Sequence, residues 1–144
     1  MKTDVALAPL SREHHNTLIL AQLLKKFAPV YKHLPTTAID KATYAVVHFE
    51  AHLRKRFHKE EFMLNKVKDC HASVADLESE IKQEHLQLTK LFLSLCDTND
   101  LAHTMDELAV CLQHHIRKEE RVLFPLLQQY CSQAQLKEIY ELLH

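Results

Sequence analysis

The stretch HIRKEERVLFP, residues 115–125, places a histidine and a glutamate one helical turn apart within an apolar pattern. With His115 at zero and 100° per residue, Glu119 lies at about 40° on the helix circumference. The apolar residues of the same face are Leu108, Cys111, Leu112, Val122 and Leu126. A carboxylate in the middle of a buried face is costly unless another group neutralises it. A metal ion would do so, because it binds neutral imidazole and ionised carboxylate together.

Composition predicts one helical domain over residues 1–144. A chain of 144 residues can bury a sizeable core without a disulfide or a metal. Glycine is absent and proline occurs four times, which favours long uninterrupted helices over hairpins. The net charge of −1 argues against nucleic-acid binding. The basic run Arg54-Lys55-Arg56 is followed by Glu60-Glu61, which is typical of a solvated helix face.

The four cysteines are widely spaced and include no Cys-x-x-Cys pair. The N-terminus lacks the apolar core of a signal peptide, and no apolar run approaches the length of a membrane span. We therefore predict a cytoplasmic protein with reduced thiols and no membrane contact. Cys96 and Cys111 lie on apolar helix faces and are interpreted as core residues rather than ligands.

Periodicity, caps and turns predict four helices and a short fifth. Their predicted extents are Ser11–Phe27, Thr37–Lys68, Ser73–Cys96, Asn99 or Asp100 to Gln129, and Ser132–Leu143. As an alternative, the first helix begins earlier, near Thr3, and bends at Pro9. The fourth helix is predicted to kink at Pro125. Short connections make neighbouring helices antiparallel. The predicted fold is therefore all-α, an up-down-up-down four-helix bundle with an extra C-terminal helix.

The same wheel places further polar groups on inward faces. His14 shares an apolar face on helix one, where His15 does not, and His85 does so on helix three. Glu60 lies in the middle of the apolar face of helix two. A single inward histidine is usually a hydrogen-bonded core residue, but three of them with two glutamates at one height favour a metal site. The predicted ligands are His14, Glu60, His85, His115 and Glu119.

Nearly the whole chain resembles the hemerythrin-like proteins, also called the HHE cation-binding domain. The motifs that carry the resemblance are SREHHNTL at residues 11–18, EHLQL at residues 84–88 and HIRKEERVLFP at residues 115–125. The resemblance implies a non-haem centre of two iron ions. In it, His14, His85 and His115 would be terminal ligands, and Glu60 and Glu119 would bridge the irons. Manganese, zinc or cobalt could bind the same ligand types.

The function implied by the resemblance is binding or sensing of O2 or NO, or the handling of iron. An oxidoreductase is the alternative, one that reduces NO or peroxide or repairs iron centres. A third class is a helical interaction module whose metal is structural or lost. No substrate pocket, reductase partner or proton relay is visible in the sequence, so it leaves open whether the protein is an enzyme.

Helix two departs from the family motif at Arg56. The family has His-x-x-x-Glu-Glu here, and alignment on Glu60-Glu61 puts Arg56 at the histidine position. Arginine stays protonated and cannot bind a cation, and His58 lies opposite the core face. We predict that Arg56 pairs with Glu60, so that one iron position is weak, empty or completed by His52. In the alternative, Arg56 swings outward and water or His52 fills the vacancy.

Helix one also carries a second apolar face, formed by Ile19, Leu23 and Phe27. A helix with two apolar faces is expected to be buried on both sides. The C-terminal helix could cover the second face, through Leu136 and Ile139. A homodimer interface is the alternative, so the sequence leaves a monomer or a homodimer open.

Overall fold

The computed structural model describes residues 3–144, and the described residues form helices and connections without a strand. The helices are α1 (Ala8–Leu24), α2 (Ala38–His48), α3 (Arg54–Val67), α4 (Ala72–Ser94), α5 (Leu101–Lys118), α6 (Phe124–Tyr130) and α7 (Gln133–Leu143). A π turn, Phe49–Leu53, joins α2 to α3, and a second, Glu119–Leu123, joins α5 to α6. Each of these pairs therefore runs on as one long helix. The predicted all-α class is confirmed.

Side chains cap the helix starts much as the sequence predicts. Thr37 accepts a hydrogen bond from the backbone N–H of Asp40, and Asp100 accepts one from His103. Ser132 forms a reciprocal capping box with Gln135. The predicted cap Ser73 is wrong, because the imidazole of His71 accepts the N–H of Ser73 and α4 begins at Ala72.

Helix α1 differs from its predicted bounds at both ends. It begins at Ala8, with Pro9 in its first turn. Backbone N–H groups in the first turn have no acceptor within the helix, so the N–H that proline lacks costs no hydrogen bond there. Pro9 therefore starts the helix instead of bending a longer one. The helix ends at Leu24 and not at Phe27, since Lys25 is extended, with φ −65° and ψ 148°, and Phe27 is left-handed, with φ 59°.

The kink predicted at Pro125 takes the form of the π turn that precedes it. In this turn the N–H of Phe124 donates to the carbonyl of Glu119, five residues earlier. Proline cannot donate to the carbonyl four residues before it, and its ring crowds that carbonyl. Widening of the helix by one residue relieves both problems. Such turns are frequent at functional sites, and this one begins at a predicted ligand.

The apolar core consists of two clusters. The first cluster includes Leu7, Leu10, Met63, Leu64, Val74, Ile81, Leu123, Leu127 and Ile139. The second includes Leu20, Leu24, Phe49, Phe57, Leu88, Phe92, Leu108 and Leu112. Along α1, α3, α4 and the long helix α5–α6 with its π turn, the predicted ligands lie between residues of the first cluster and residues of the second. A polar layer thus separates two apolar ends.

Helix α7 packs against α3 and places Leu136, Ile139 and Leu143 in the first cluster. The prediction that it covers the second face of helix one is wrong, because Ile19 and Phe27 remain exposed while Leu23 is buried. Among the described residues, none of the helices has the length and apolar character that a membrane crossing requires.

Candidate metal centre

The five predicted ligands come together in the polar layer and are all buried. Their exposed fractions are 6% for His14, 2% for Glu60, 2% for His85, 3% for His115 and 1% for Glu119. They form two groups that could each hold an ion, with ligand atoms within 4.8 Å of one another. One group is Glu60, His85 and His115, and the other is His14, Glu60 and Glu119. Because both groups include Glu60, its carboxylate lies between two candidate ion positions.

A carboxylate at the edge of the centre fixes the ring of each histidine. The Nδ1 of His14 donates to Glu120 at 2.6 Å, and that of His115 to Glu84 at 2.7 Å. The Nδ1 of His85 donates to Glu61 at 2.9 Å. Such a hydrogen bond sets the tautomer and leaves Nε2 as the ligand atom, as in most metal-binding histidines. Ser11 donates to Glu120, and Lys118 pairs with Glu84, so two of these carboxylates have a further partner.

The Nε2 atoms point at the two central carboxylates. His85 lies 3.0 Å from Glu60, while His14 and His115 lie 3.3 Å and 2.9 Å from the same oxygen of Glu119. The last two contacts are close but lack hydrogen-bond geometry. The Nε2 atoms of His14 and His115 and the second oxygen of Glu119 are buried without a hydrogen-bond partner among the described residues. Unpartnered imidazole nitrogen and carboxylate oxygen are ligands for a divalent metal, so the donor set fits one.

The walls of the centre are apolar and aromatic. Phe57 stacks on His85 with ring centroids 4.1 Å apart, and Phe124 stacks on His14 at 5.5 Å. Leu53, Leu112 and Ile116 line a narrow cavity of about 10 Å³ beside the ligands, which is roughly the space of one water-sized sphere. Bulk water is therefore kept away from the ligand atoms.

In this layer, which contains little water, the histidines and carboxylates shift one another's pKa values. Burial alone would lower the pKa of His14, but Glu119 and Glu120 outweigh it and raise that pKa to about 10. For His115 burial also acts to lower the pKa, and Glu119 and Glu84 raise it to about 10. Burial acts to raise the pKa of Glu119, yet the two imidazoles hold it well below its usual value. Burial, together with the charge of Glu119, raises the pKa of Glu60. Protons thus balance the buried carboxylates in the metal-free protein.

Arg56 lies at the wall of the cavity but does not pair with Glu60. Its guanidinium contacts Glu13 of α1 at 3.3 Å, so the predicted Arg56–Glu60 ion pair is wrong. The Arg56 side chain reaches Glu13 on the neighbouring helix α1 instead. Glu13 is partly exposed, so pairing with it requires less desolvation than pairing with the buried Glu60. One guanidinium nitrogen, Nη1, is nevertheless buried without a hydrogen-bond partner in residues 3–144, and both Arg56 and Glu13 line the cavity.

His52 is not brought into the centre. Its side chain is exposed and its ring lies 5.2 Å from that of His48. The wheel placed His52 near the edge of the apolar face on the assumption of regular α-helix. The residue lies instead within the π turn Phe49–Leu53, where the angular spacing differs.

Sequence reasoning missed the outer carboxylates Glu61, Glu84 and Glu120 and the partner of Arg56. The sequence did contain an indication of the three outer carboxylates, since each of them is next to a predicted ligand. Neighbouring helical residues point about 100° apart, so the second member of each pair lies beside the apolar face. There it can reach the outer edge of a histidine ring on another helix.

With the ligand geometry in place, the comparison with known families gives one match. Residues 76–144 match the hemerythrin HHE cation binding domain. The family resemblance is thereby confirmed for this part of the chain. The match covers His85, His115 and Glu119, and also the outer carboxylates Glu84 and Glu120. No curated protein and no solved structure gave a significant match.

Two neighbouring histidines of α5 provide a test of the ligand set. We expect His115→Ala to lower metal affinity about tenfold or more, because it removes a buried ligand nitrogen. His114→Ala should leave metal content unchanged, since His114 is exposed and points about 100° away. The measurement is metal analysis after loading with ferrous iron and desalting. Equal losses in the two variants would contradict the helix register described here.

The raised histidine pKa values predict that metal uptake releases protons. At pH 7.5, below their pKa of about 10, His14 and His115 both carry a proton that a bound metal must displace. We expect at least one proton released per iron bound and an affinity that rises with pH. Calorimetry in two buffers of different ionisation enthalpy measures this number. His115→Ala should release fewer protons, and an affinity independent of pH between 6 and 9 would contradict the assignment.

Proposed function

We propose that this chain is a hemerythrin-like non-haem iron protein that binds a small diatomic ligand, O2 or NO, at a buried carboxylate- and histidine-liganded centre. The observation that carries the proposal is the pair of three-residue groups that share Glu60. Imidazole and carboxylate ligands suit iron, and manganese, zinc or cobalt could occupy the same positions. We further infer that the helices that carry this centre form an antiparallel four-helix bundle.

The composition of the two apolar clusters supports this bundle. The first cluster takes low-numbered residues from α1 and α4, such as Leu10 and Val74. From the long helices α2–α3 and α5–α6 it takes residues near their far ends, such as Val67 and Leu127. The second cluster shows the reverse order. Successive long helices that run in alternating directions would produce this pattern.

The two positions differ in their protein ligands. The group of Glu60, His85 and His115 offers two imidazoles, whereas the group of His14, Glu60 and Glu119 offers one. Arg56 lines a cavity that all three residues of the second group share, but only two of the first, and its guanidinium contacts Glu13, next to His14. Its fixed charge repels a cation nearby. We therefore propose that the first position binds iron tightly and the second binds it weakly.

The size of the cavity favours a diatomic ligand over a larger substrate. The cavity has a volume of about 10 Å³, and its walls are apolar apart from the ligand groups and Thr17, Glu13 and Arg56. When bound, ferrous iron would supply an electron-rich centre with open coordination positions for such a ligand. The protein's own part is to hold the ligand nitrogens through Glu61, Glu84 and Glu120 and to exclude water.

An oxidoreductase remains the alternative, one that reduces NO or peroxide or donates iron for the repair of iron centres. Arg56 is the observation that favours it. Its buried Nη1, without a hydrogen-bond partner among the described residues, would stabilise an anionic substrate or product beside the metal. A purely structural metal, the third class, is less consistent with a centre that has unpartnered ligand atoms and a cavity.

Spectra of the reduced, iron-loaded protein test the proposal. We expect a new absorption band on exposure to O2 or NO that disappears when the gas is removed, because the enclosed pocket limits access to bulk water. Rapid and irreversible oxidation with turnover of peroxide or NO would instead establish the oxidoreductase. Failure to bind any divalent metal would contradict both and leave an interaction module.

Metal stoichiometry tests the role of Arg56. We expect the wild type to retain fewer than two tightly bound irons and Arg56→His to approach two, because the change removes a positive charge and adds a ligand type. His52→Ala should not alter the stoichiometry, since His52 is exposed. Lys55→His is the matched control, an exposed neighbour on the same helix. Two tightly bound irons in the wild type, unchanged in Arg56→His, would contradict the unequal positions.

A further inference from the structure

Two cysteines that are distant in sequence lie in contact at one end of the molecule. The Sγ atoms of Cys70 and Cys131 are 3.8 Å apart, across 61 residues of chain, and the two are free cysteines. The spacing of the cysteines in the sequence gave no sign of this pair. Sulfur atoms at this distance are in van der Waals contact and need a further approach of about 1.8 Å to bond.

Both cysteines lie in connections between helices, where the backbone can adjust. Cys70 ends the short 3₁₀ turn Lys68–Cys70 between α3 and α4. Cys131 follows α6 in an extended conformation, with φ −70° and ψ 138°. The adjacent residues His71 and Tyr130 stack with ring centroids 3.8 Å apart. This stack holds the two connections side by side and keeps the two sulfurs together.

The thiols of Cys70 and Cys131 differ in their exposure to solvent. Cys70 is half-buried, whereas Cys131 is buried in the first apolar cluster. Burial and the neighbouring Cys70 raise the pKa of Cys131 to about 12, so this thiol is protonated in the free protein and loses its proton only as it attacks a mixed disulfide on Cys70. A reagent from solution therefore meets Cys70 first, and Cys131 is placed to react second.

We propose that Cys70 and Cys131 form a reversible disulfide by exchange with a low-molecular-weight disulfide such as oxidised glutathione. In the first step the Cys70 thiolate attacks one sulfur of glutathione disulfide, the S–S bond breaks, and one glutathione leaves as a thiolate that takes up the proton Cys70 had lost. In the second step Cys131 loses its proton and attacks the Cys70 sulfur, and the second glutathione leaves and takes that proton. Two protein thiols are oxidised and one glutathione disulfide is reduced to two glutathione molecules.

The disulfide would tie the α3–α4 connection to the α6–α7 connection. It would close a loop between residues 70 and 131, which restricts the unfolded chain and stabilises the fold. Cys70 lies ten residues after Glu60, about 15 Å along a helix. The exchange therefore does not depend on the proposed metal centre, and it should proceed alike in metal-free and iron-loaded protein.

Mass spectrometry after incubation with excess oxidised glutathione tests the proposal. The prediction that Cys96 is a core residue is wrong, because it follows the end of α4 and is exposed. All proteins therefore carry Cys96→Ser, since Cys96 would take up glutathione by itself. With Cys70 and Cys131 intact, we expect a loss of two hydrogens, a cross-linked peptide joining the two residues and a higher melting temperature. Adding Cys131→Ser should trap one glutathione on Cys70, and adding Cys70→Ser should leave Cys131 unmodified. Cys111→Ser is the matched control and should not change the outcome.

Three outcomes would overturn the proposal. One is a wild-type pair that stays reduced, and another is a protein with a glutathione on each cysteine and no cross-link. The third is a cross-link that joins Cys111 instead. Each outcome can be read whether or not the protein binds iron, so failure here is distinguishable from failure of the proposed metal function.

Discussion

The buried carboxylates of Glu60 and Glu119 are the constraint on which the rest of the structure depends. Each lies almost wholly out of solvent, and an isolated charge there would be strongly destabilising. Three imidazoles surround them, each fixed by a carboxylate nearer the surface. The helices that provide these groups must therefore meet at one height and in one register. A shift of one residue on any helix would turn a ligand out of the layer and leave a buried charge without a partner.

This polar layer also explains why the core is divided in two. On each of the helices that carry ligands, apolar residues precede and follow the polar position. The apolar ends supply the stabilisation from burial, which grows with the area removed from water. They also make the layer between them poor in water, which strengthens each interaction among the histidines and carboxylates. Packing and electrostatics thus support one another at the same residues.

The sequence predicted the parts of this arrangement that depend on one helix at a time. Apolar periodicity identified the inward faces, and Thr37, Asp100 and Ser132 marked helix starts through local hydrogen bonds. It did not predict contacts that depend on which residue of another helix lies opposite. The Arg56–Glu13 pair and the Cys70–Cys131 contact are of this kind. The exposed position of His52 was missed for another reason, because the π turn breaks the regular spacing that wheel arithmetic assumes.

Protons and metal ions are alternative partners for the same buried carboxylates. In the metal-free protein the imidazolium groups of His14 and His115 neutralise Glu119, which is why their pKa values are raised. A divalent cation would replace those protons at the same nitrogens and oxygens, with little change in the charge of the layer. The outer carboxylates hold the rings in either state, and the two apolar clusters do not involve the metal. The burial that stabilises the fold therefore comes from residues other than the groups that would hold an ion.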